Sequence, residues 1–290
     1  MSAVELVELV EPTSIARRRT FRNRWYRTPS FVIGAFIVLS LVIASAAAPL
    51  IAPFDPNAQD LLHTYGHPSG AHWLGTDQLG RDVLSRLIYG GRVDLLTAFL
   101  AVLLPFCLGT FLGCLSGYYG RIADTAVMRI LDVMVAFPFL VLVIALVFVL
   151  GPGQRSIIIA ITCVGWVSYT RIVRAEILVH KRQEYVLAAR AAGLSDKRIM
   201  ARHLLPNVIT QAIVFSMSDI VLSMLAIVTL SYLGAGIPPP TADWGSMIAD
   251  GQPLITSQWQ IATIPGIAIL LTGFGLSLLG DGLADLLAPE

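Results

Sequence analysis

The sequence predicts an all-α membrane protein with six transmembrane helices and both termini on the cytoplasmic side. Three observations predict it. The 290 residues are 56% hydrophobic and only 13% charged, with a mean hydropathy of +0.73, whereas a soluble domain carries roughly 25% charged residues. Apolar runs poor in charge recur along the chain, most of them near the ~20 residues that a helix needs to cross a bilayer. The basic residues gather on alternate loops, as they do where positive charge is retained in the cytoplasm.

Residues 1–30 read as a polar cytoplasmic tail bearing Arg17, Arg18, Arg19, Arg22, Arg24 and Arg27, and residues 31–290 as one six-helix transmembrane domain. The first span covers residues 31–51. A cleaved leader does not fit it, because the apolar core exceeds the usual length and further spans follow. The others fall at 95–120, 128–150, 156–171, 208–234 and 259–280. The fourth is short, and Arg171 and Arg174 are expected to snorkel at its end. Arg121, Arg129 and the cluster from Arg171 to Arg202 join the amino-terminal arginines on one side, leaving Arg81, Arg86, Arg92 and Arg155 on the other. Segments 52–94 and 235–258 are therefore external and the loop 171–207 is cytoplasmic.

In the first external segment, Leu79, Val83, Leu87 and Ile88 share a helical face, which predicts an amphipathic helix on the membrane surface or on a neighbouring span. His63, His67 and His72 with Asp77 raise the question of a metal site, but Gly66 and Pro68 break any helix that would align the first two, and no metal is expected. Trp244 in the second external segment is read as an interface anchor. Cys107, Cys114 and Cys163 lie inside apolar runs and are read as small core residues.

The loop from Glu184 to Asn207 is the most polar long run between spans, and we read it as a docking device. Ala188, Ala189, Arg190, Ala191 and Ala192 favour a helix, and Gly193 is the residue expected at a left-handed helix end. Ser195 then serves as N-cap with Asp196 in the first turn of a short helix, and Pro206 is expected to stop it. Arg129 and Asp132, three apart, predict an ion pair at the inner end of the third span. Asp219, the lone acid of the fifth span, must face the bundle interior. Two roles stay open for it: a buried hydrogen bond, with Ser216, Ser218, Ser223 or a neighbouring helix as partner, or a wall of a translocation path. No phosphate loop, nucleophile elbow or zinc-spaced pair occurs, so the chain is not expected to be an enzyme.

The loop resembles the EAA signature of ABC importer permeases: Ala188, Ala189, Gly193, Leu205 and Pro206 fall in register, while Leu187 and His203 depart from it. YVLAARAAG followed by HLLPN, together with HWLGTDQLGRDVLSRLIYG, MRILDVMVAFP, LSYLGAGIPPPTADWG and LLGDGLADLLAP, resembles the C-type permease subunit of the dipeptide and oligopeptide ABC importer family over residues 25–290. Ala284 departs where that family tends to carry Arg. The resemblance implies a type I permease fold in a bacterial cell membrane and pairing with a second permease. It also implies two ATPase subunits that bind the ATP, an extracytoplasmic substrate-binding protein, and no nucleic-acid partner or cofactor of its own. It further implies a coupling element at Ala188, Ala189, Gly193, Leu194, Ser195, Asp196, Lys197 and Pro206. Nickel or glutathione importers share this architecture. An ion-coupled secondary carrier would also explain six spans and Asp219, but needs no docking helix.

Overall fold

The computed structural model describes residues 28–287; the arginines of the amino-terminal tail and the last residues of the final motif lie outside them. Eleven helices are used below to describe them: α1 (Pro29–Ala46), α2 (Ala48–Ile51), α3 (Val83–Tyr119), α4 (Arg121–Val135), α5 (Phe139–Leu150), α6 (Gln154–His180), α7 (Glu184–Ala191), α8 (Asp196–Ile199), α9 (Leu205–Tyr232), α10 (Trp244–Gly251) and α11 (Gln260–Leu287). Helices α1, α3, α6 and α11, and the continuous unit from Asp196 to Tyr232, are long and apolar enough to cross a membrane. The pair α4–α5 makes a sixth crossing if it counts as one.

Three spans differ from the sequence expectation. The amphipathic stretch after Leu79 is not a separate surface helix: it is the start of α3, which runs 37 residues, about 55 Å at 1.5 Å per residue. Asp82 caps it, accepting from the Ser85 backbone N–H at 2.7 Å. The third span is broken by an 89° bend, because Pro138 disfavours helical geometry at Phe137. Arm α5, with 12 residues, is too short to cross alone. The fourth span continues past Arg171 to His180, since Arg174 finds a partner inside the bundle instead of reaching for water.

Helices α3 and α6 form the most extensive pairing, followed by α1 with α11. Gly109, Gly113 and Gly117, spaced by four, put a bare backbone stripe on α3 against Tyr169, Thr170, Val173, Arg174 and Ile177 of α6. Small residues at this spacing let membrane helices approach closely, where dispersion and backbone contacts replace the missing hydrophobic drive. Thr170 crosses the seam, its hydroxyl donating to the Gly109 carbonyl at 3.2 Å. The same device joins α1 to α11, where Gly34 meets the backbone of Leu279 and Gly275 meets Ile37.

At the end of the bundle away from the basic loop, α10 packs on α3. Trp244 is 2% exposed, so it is a core residue here and not an interface anchor. Its indole N–H donates to the Leu87 carbonyl at 2.8 Å, its backbone N–H donates to Asp94 at 2.8 Å, and Gly90 and Gly91 give its ring room. Of the cysteines only Cys114 is buried; Cys107 and Cys163 are exposed on α3 and α6, so they are not core residues here.

Candidate functional site

The basic loop folds as a helix, a tight turn and a second helix. Gly193 has φ +76°, and the chain around it closes a double-bonded turn, with Leu194 N–H donating to the Ala189 carbonyl at 3.2 Å and Gly193 N–H to the Arg190 carbonyl at 3.0 Å. Ser195 occupies the N-cap position of α8, but its hydroxyl makes no capping bond. Pro206 does not stop the helix. The chain passes from α8 through a π-helical stretch, Met200–Leu204, into α9. Proline is tolerated there because it stands in the first turn of α9, and the wider π turn before it relieves the carbonyl clash. Helix α8 and the fifth span are thus one continuous unit.

The loop has two faces. Val186, Ala189, Ile199 and Leu204 are buried against Tyr169, Val173 and Ile177, while Ala188, Arg190, Gly193, Ser195, Asp196, Lys197 and Pro206 are exposed, with Leu194 between. Ala188 and Ala189, adjacent in sequence, therefore divide their roles: one faces outward and the other seats the loop. Burial of the apolar face, at about 25 cal/mol per Å² removed from water, holds the loop to the bundle while its polar face stays free.

The end of α3 meets this loop. Ser116 and Arg174 both donate to Asp124, Arg174 through Nε at 2.5 Å and Nη2 at 2.6 Å, a two-pronged geometry that is strong among ion pairs. Lys181 Nζ donates to the Gly117 carbonyl at 2.8 Å. This corrects the expected Arg129–Asp132 pair: both side chains are exposed and unpaired with each other, and the acid that pairs lies one helical turn and more upstream. No local spacing signals it, since Asp124 and Arg174 are 50 residues apart.

Asp219 on α9 faces inward. Tyr169, fully buried on α6, donates its hydroxyl to Asp219 Oδ2 at 2.8 Å, and Phe106 and Phe215 clamp the Tyr169 ring edge-on at 5.5 and 5.2 Å. The partner is thus a neighbouring helix and none of the three serines; the Ser216 hydroxyl donates instead to the Ile213 carbonyl. Asp219 also lines a cleft of about 550 Å³ between α6, α9 and the break in α4–α5, with Phe215, Leu222, Thr229, Val164, Ser168, Phe137 and Leu140 among its walls. The kink at Pro138 opens this cleft, so a carboxylate and an apolar groove share one wall.

At the opposite end, segment 52–82 is tied down by buried charges. Arg81 pairs with Asp77 at 2.6 Å, Arg86 approaches the same carboxylate at 3.4 Å, and Arg81 reaches Asp250 of α10 at 3.8 Å. Burial pushes the Asp250 carboxyl above the ordinary range. His63 is bonded to Asp60 and His72 to Asp82, and among the described residues no three His, Cys, Asp or Glu side chains converge as a metal site.

Comparison with known proteins decides what this bundle of long apolar helices is. Residues 109–290 match the family described as binding-protein-dependent transport system inner membrane component, and residues 13–68 match the N-terminal TM domain of oligopeptide transport permease C. The chain belongs to this permease family. Among its relatives, the probable D,D-dipeptide transport system permease protein DdpC of Escherichia coli is 39% identical over 91% of this chain and 88% of its own. The dipeptide transport system permease protein DppC of Bacillus subtilis is 40% identical over 89% and 81%. The glutathione transport system permease protein GsiD of Pectobacterium atrosepticum is 37% identical over 94% and 91%. A chain of the inward-facing MetNI methionine ABC transporter superposes with a TM-score of 0.56 at 16% identity, covering 70% of the permease and 97% of that chain. The permease is a multi-pass protein of the bacterial inner membrane with the fold of ABC importer permeases.

Two features of the permease escape a reading of motifs alone. The glycine stripe of α3 was not singled out, although its four-residue spacing is a sequence signal, and it carries the central seam. Tyr169, the partner of Asp219, had no local signal, because the two are 50 residues apart.

Proposed function

We propose that this chain is the membrane-spanning permease subunit of an ATP-driven importer of dipeptides or oligopeptides. It crosses the membrane six times, counting α4–α5 as one broken crossing, with both termini in the cytoplasm, segment 52–94 outside and the loop 171–207 inside. It pairs with a second permease, two ATPase subunits that hold the ATP, and an extracytoplasmic binding protein that delivers cargo. The observation that carries this reading is the docking helix, exposed on one face, seated by the other, and continuous with the fifth span. A soluble motor that closes on this loop would move the span as a rigid body. The coupling contacts would be made by Ala188, Gly193, Ser195, Asp196 and Lys197 on the open face, with Ala189, Leu194 and Pro206 shaping it. Relatives named for dipeptide transport support peptide cargo, and the glutathione permease among them makes that tripeptide the second candidate.

Reconstitution in liposomes with the partner permease, both ATPases and the binding protein tests the reading. Peptide uptake should require ATP and the binding protein. Uptake driven by an ion gradient without ATP would replace it with a secondary carrier.

Asp219 fits the wall of the translocation path, offering a weak contact to the positive amino terminus of a passing peptide. The tyrosine bonds one carboxylate oxygen, and the residue lines the cleft. Asp219→Asn keeps the shape and the Tyr169 contact while removing the charge. Uptake of peptides with a free amino terminus is expected to fall roughly fivefold, a loss of about 1 kcal/mol as for other solvated charge contacts, while amino-blocked peptides are unaffected and the complex assembles normally. An equal loss for both peptide classes assigns Asp219 a purely structural bond.

A further inference from the structure

We infer that Tyr118 is the positioning residue that sets the angle of the docking turn against the bundle, an inference that rests on the coupling reading above. Tyr118 stands one residue before the end of α3, beside the loop. Its hydroxyl donates to Asp196 Oδ1 at 2.5 Å, and Asp196 is the first residue of α8. Arg190 of α7 donates through Nη2 to the same hydroxyl at 3.3 Å, and its guanidinium lies 5.9 Å over the Tyr118 ring. Arg190 precedes the Gly193 turn and Asp196 follows it. One side chain therefore spans the turn and touches both of its arms.

The chemistry suits a phenol. A hydroxyl both donates and accepts, so it serves a carboxylate and a guanidinium at once, which neither phenylalanine nor a charged side chain does here. Asp196 is held where a negative charge is favoured, at the start of a helix. The Tyr119 ring braces Tyr118 edge-on, with centroids 5.2 Å apart. The neighbouring residues fix the platform: Gly117 accepts from Lys181 at the end of α6, and Ser116 donates to Asp124 of α4.

Besides Tyr118, one hydrogen bond at 3.0 Å between His180 at the end of α6 and the Tyr185 hydroxyl ties α7 alone to the bundle; the contacts that seat both arms are apolar. Val186, Ala189, Ile199 and Leu204 seat the loop by apolar burial, which is non-directional and permits the loop to rock or slide with little change in energy. Hydrogen bonds weaken steeply with angle and so select one orientation. Tyr118 is the link from α3 to both arms of the turn through such bonds. A push on the exposed face of α8 is thereby passed to α3 as well as to α9, and α3 reaches the far end of the bundle, where it holds Trp244.

The test uses the complete complex in liposomes, with its binding protein and a mixture of labelled di- and tripeptides, and reads peptide taken up per ATP hydrolysed. Tyr118→Phe keeps the ring and removes the hydroxyl. The ratio is expected to fall about fivefold, with recovery and melting temperature of the complex at the level of the unaltered protein. Asp196→Ala should lower the ratio similarly, and the double variant should be no worse than either single one, because both cut the same link. An unchanged ratio in Tyr118→Phe overturns the inference, as do losses that multiply in the double variant. A fall in melting temperature that accounts for the lost uptake also overturns it, since Tyr118 would then only support the fold. Gly193→Val, measured alongside, separates the levels. If that variant uncouples while Tyr118→Phe does not, the role of Tyr118 fails alone; if neither uncouples, the coupling reading of the loop fails with it.

Discussion

Replacing Gly193 with valine is expected to uncouple ATP hydrolysis from uptake while leaving the permease inserted and assembled. Gly193 has φ +76°, and a Cβ built there meets no other atom within 4 Å. The cost of the substitution is therefore all backbone: a β-branched residue in left-handed geometry costs about 1–2 kcal/mol, and nothing is lost in packing. The chain can shed that strain by opening the turn, which breaks the Leu194 to Ala189 and Gly193 to Arg190 hydrogen bonds and swings α8 relative to α7. Since α8 leads directly into α9, misplacing it changes where a partner would push. A tenfold drop in uptake per ATP corresponds to about 1.4 kcal/mol of misdirected contact. Gly193→Asn is the informative companion, because asparagine tolerates the left-handed region and should keep most of the coupling. Normal uptake in Gly193→Val, or equal loss in the asparagine variant, would show that the turn's geometry is not what matters.

Gly113→Leu is expected to abolish the assembled permease. A Cβ at this position would stand 2.8 Å from the Thr170 carbonyl oxygen, 2.9 Å from Val173 Cβ and 3.2 Å from the Arg174 backbone nitrogen. Two of these are backbone atoms of α6, so no rotamer change relieves the clash; the helices must separate. Separation would loosen the Arg174–Asp124 pair and the Thr170–Gly109 bond along the same seam. Overpacking of this kind costs roughly 3 kcal/mol or more, a large part of the stability of any domain. Recovery of the complex from detergent and its thermal unfolding report the effect. Gly266 on α11 supplies the contrast: no atom lies within 4 Å of its would-be Cβ, so Gly266→Ala should be neutral or stabilising by up to about 1 kcal/mol through helix propensity. Similar behaviour of the two variants would mean that the α3–α6 seam yields easily, contrary to the close approach seen.

Much of this protein is determined locally. Apolar runs can only become helices in a membrane, since each backbone N–H must find its acceptor within the segment, and this makes an all-helical bundle legible from composition. The turn at Gly193 is local as well: a run of alanines, a glycine and a small N-cap residue suffice to predict the left-handed end. The family motifs are contiguous strings and could be read without any fold.

Tertiary structure alone decided the rest, because it depends on partners far away in the chain or on where a helix finds shelter. Apolar residues run on both sides of Pro138, so the 89° break there and the cleft it opens are invisible to hydropathy. The stretch before residue 95 reads as a separate amphipathic helix, yet it is the start of α3, since Asp94 and the glycines beside it are buried by Trp244 from α10, some 150 residues on. Pro206 reads as a stop, but the π-helical stretch ahead of it lets the helix continue. Arg174, read as snorkelling, instead pairs with Asp124, while Asp219 finds Tyr169 and Asp196 finds Tyr118 across helices. Sequence spacing encodes which groups could pair along one helix; only packing sets which helices stand side by side, and therefore which polar groups escape water together.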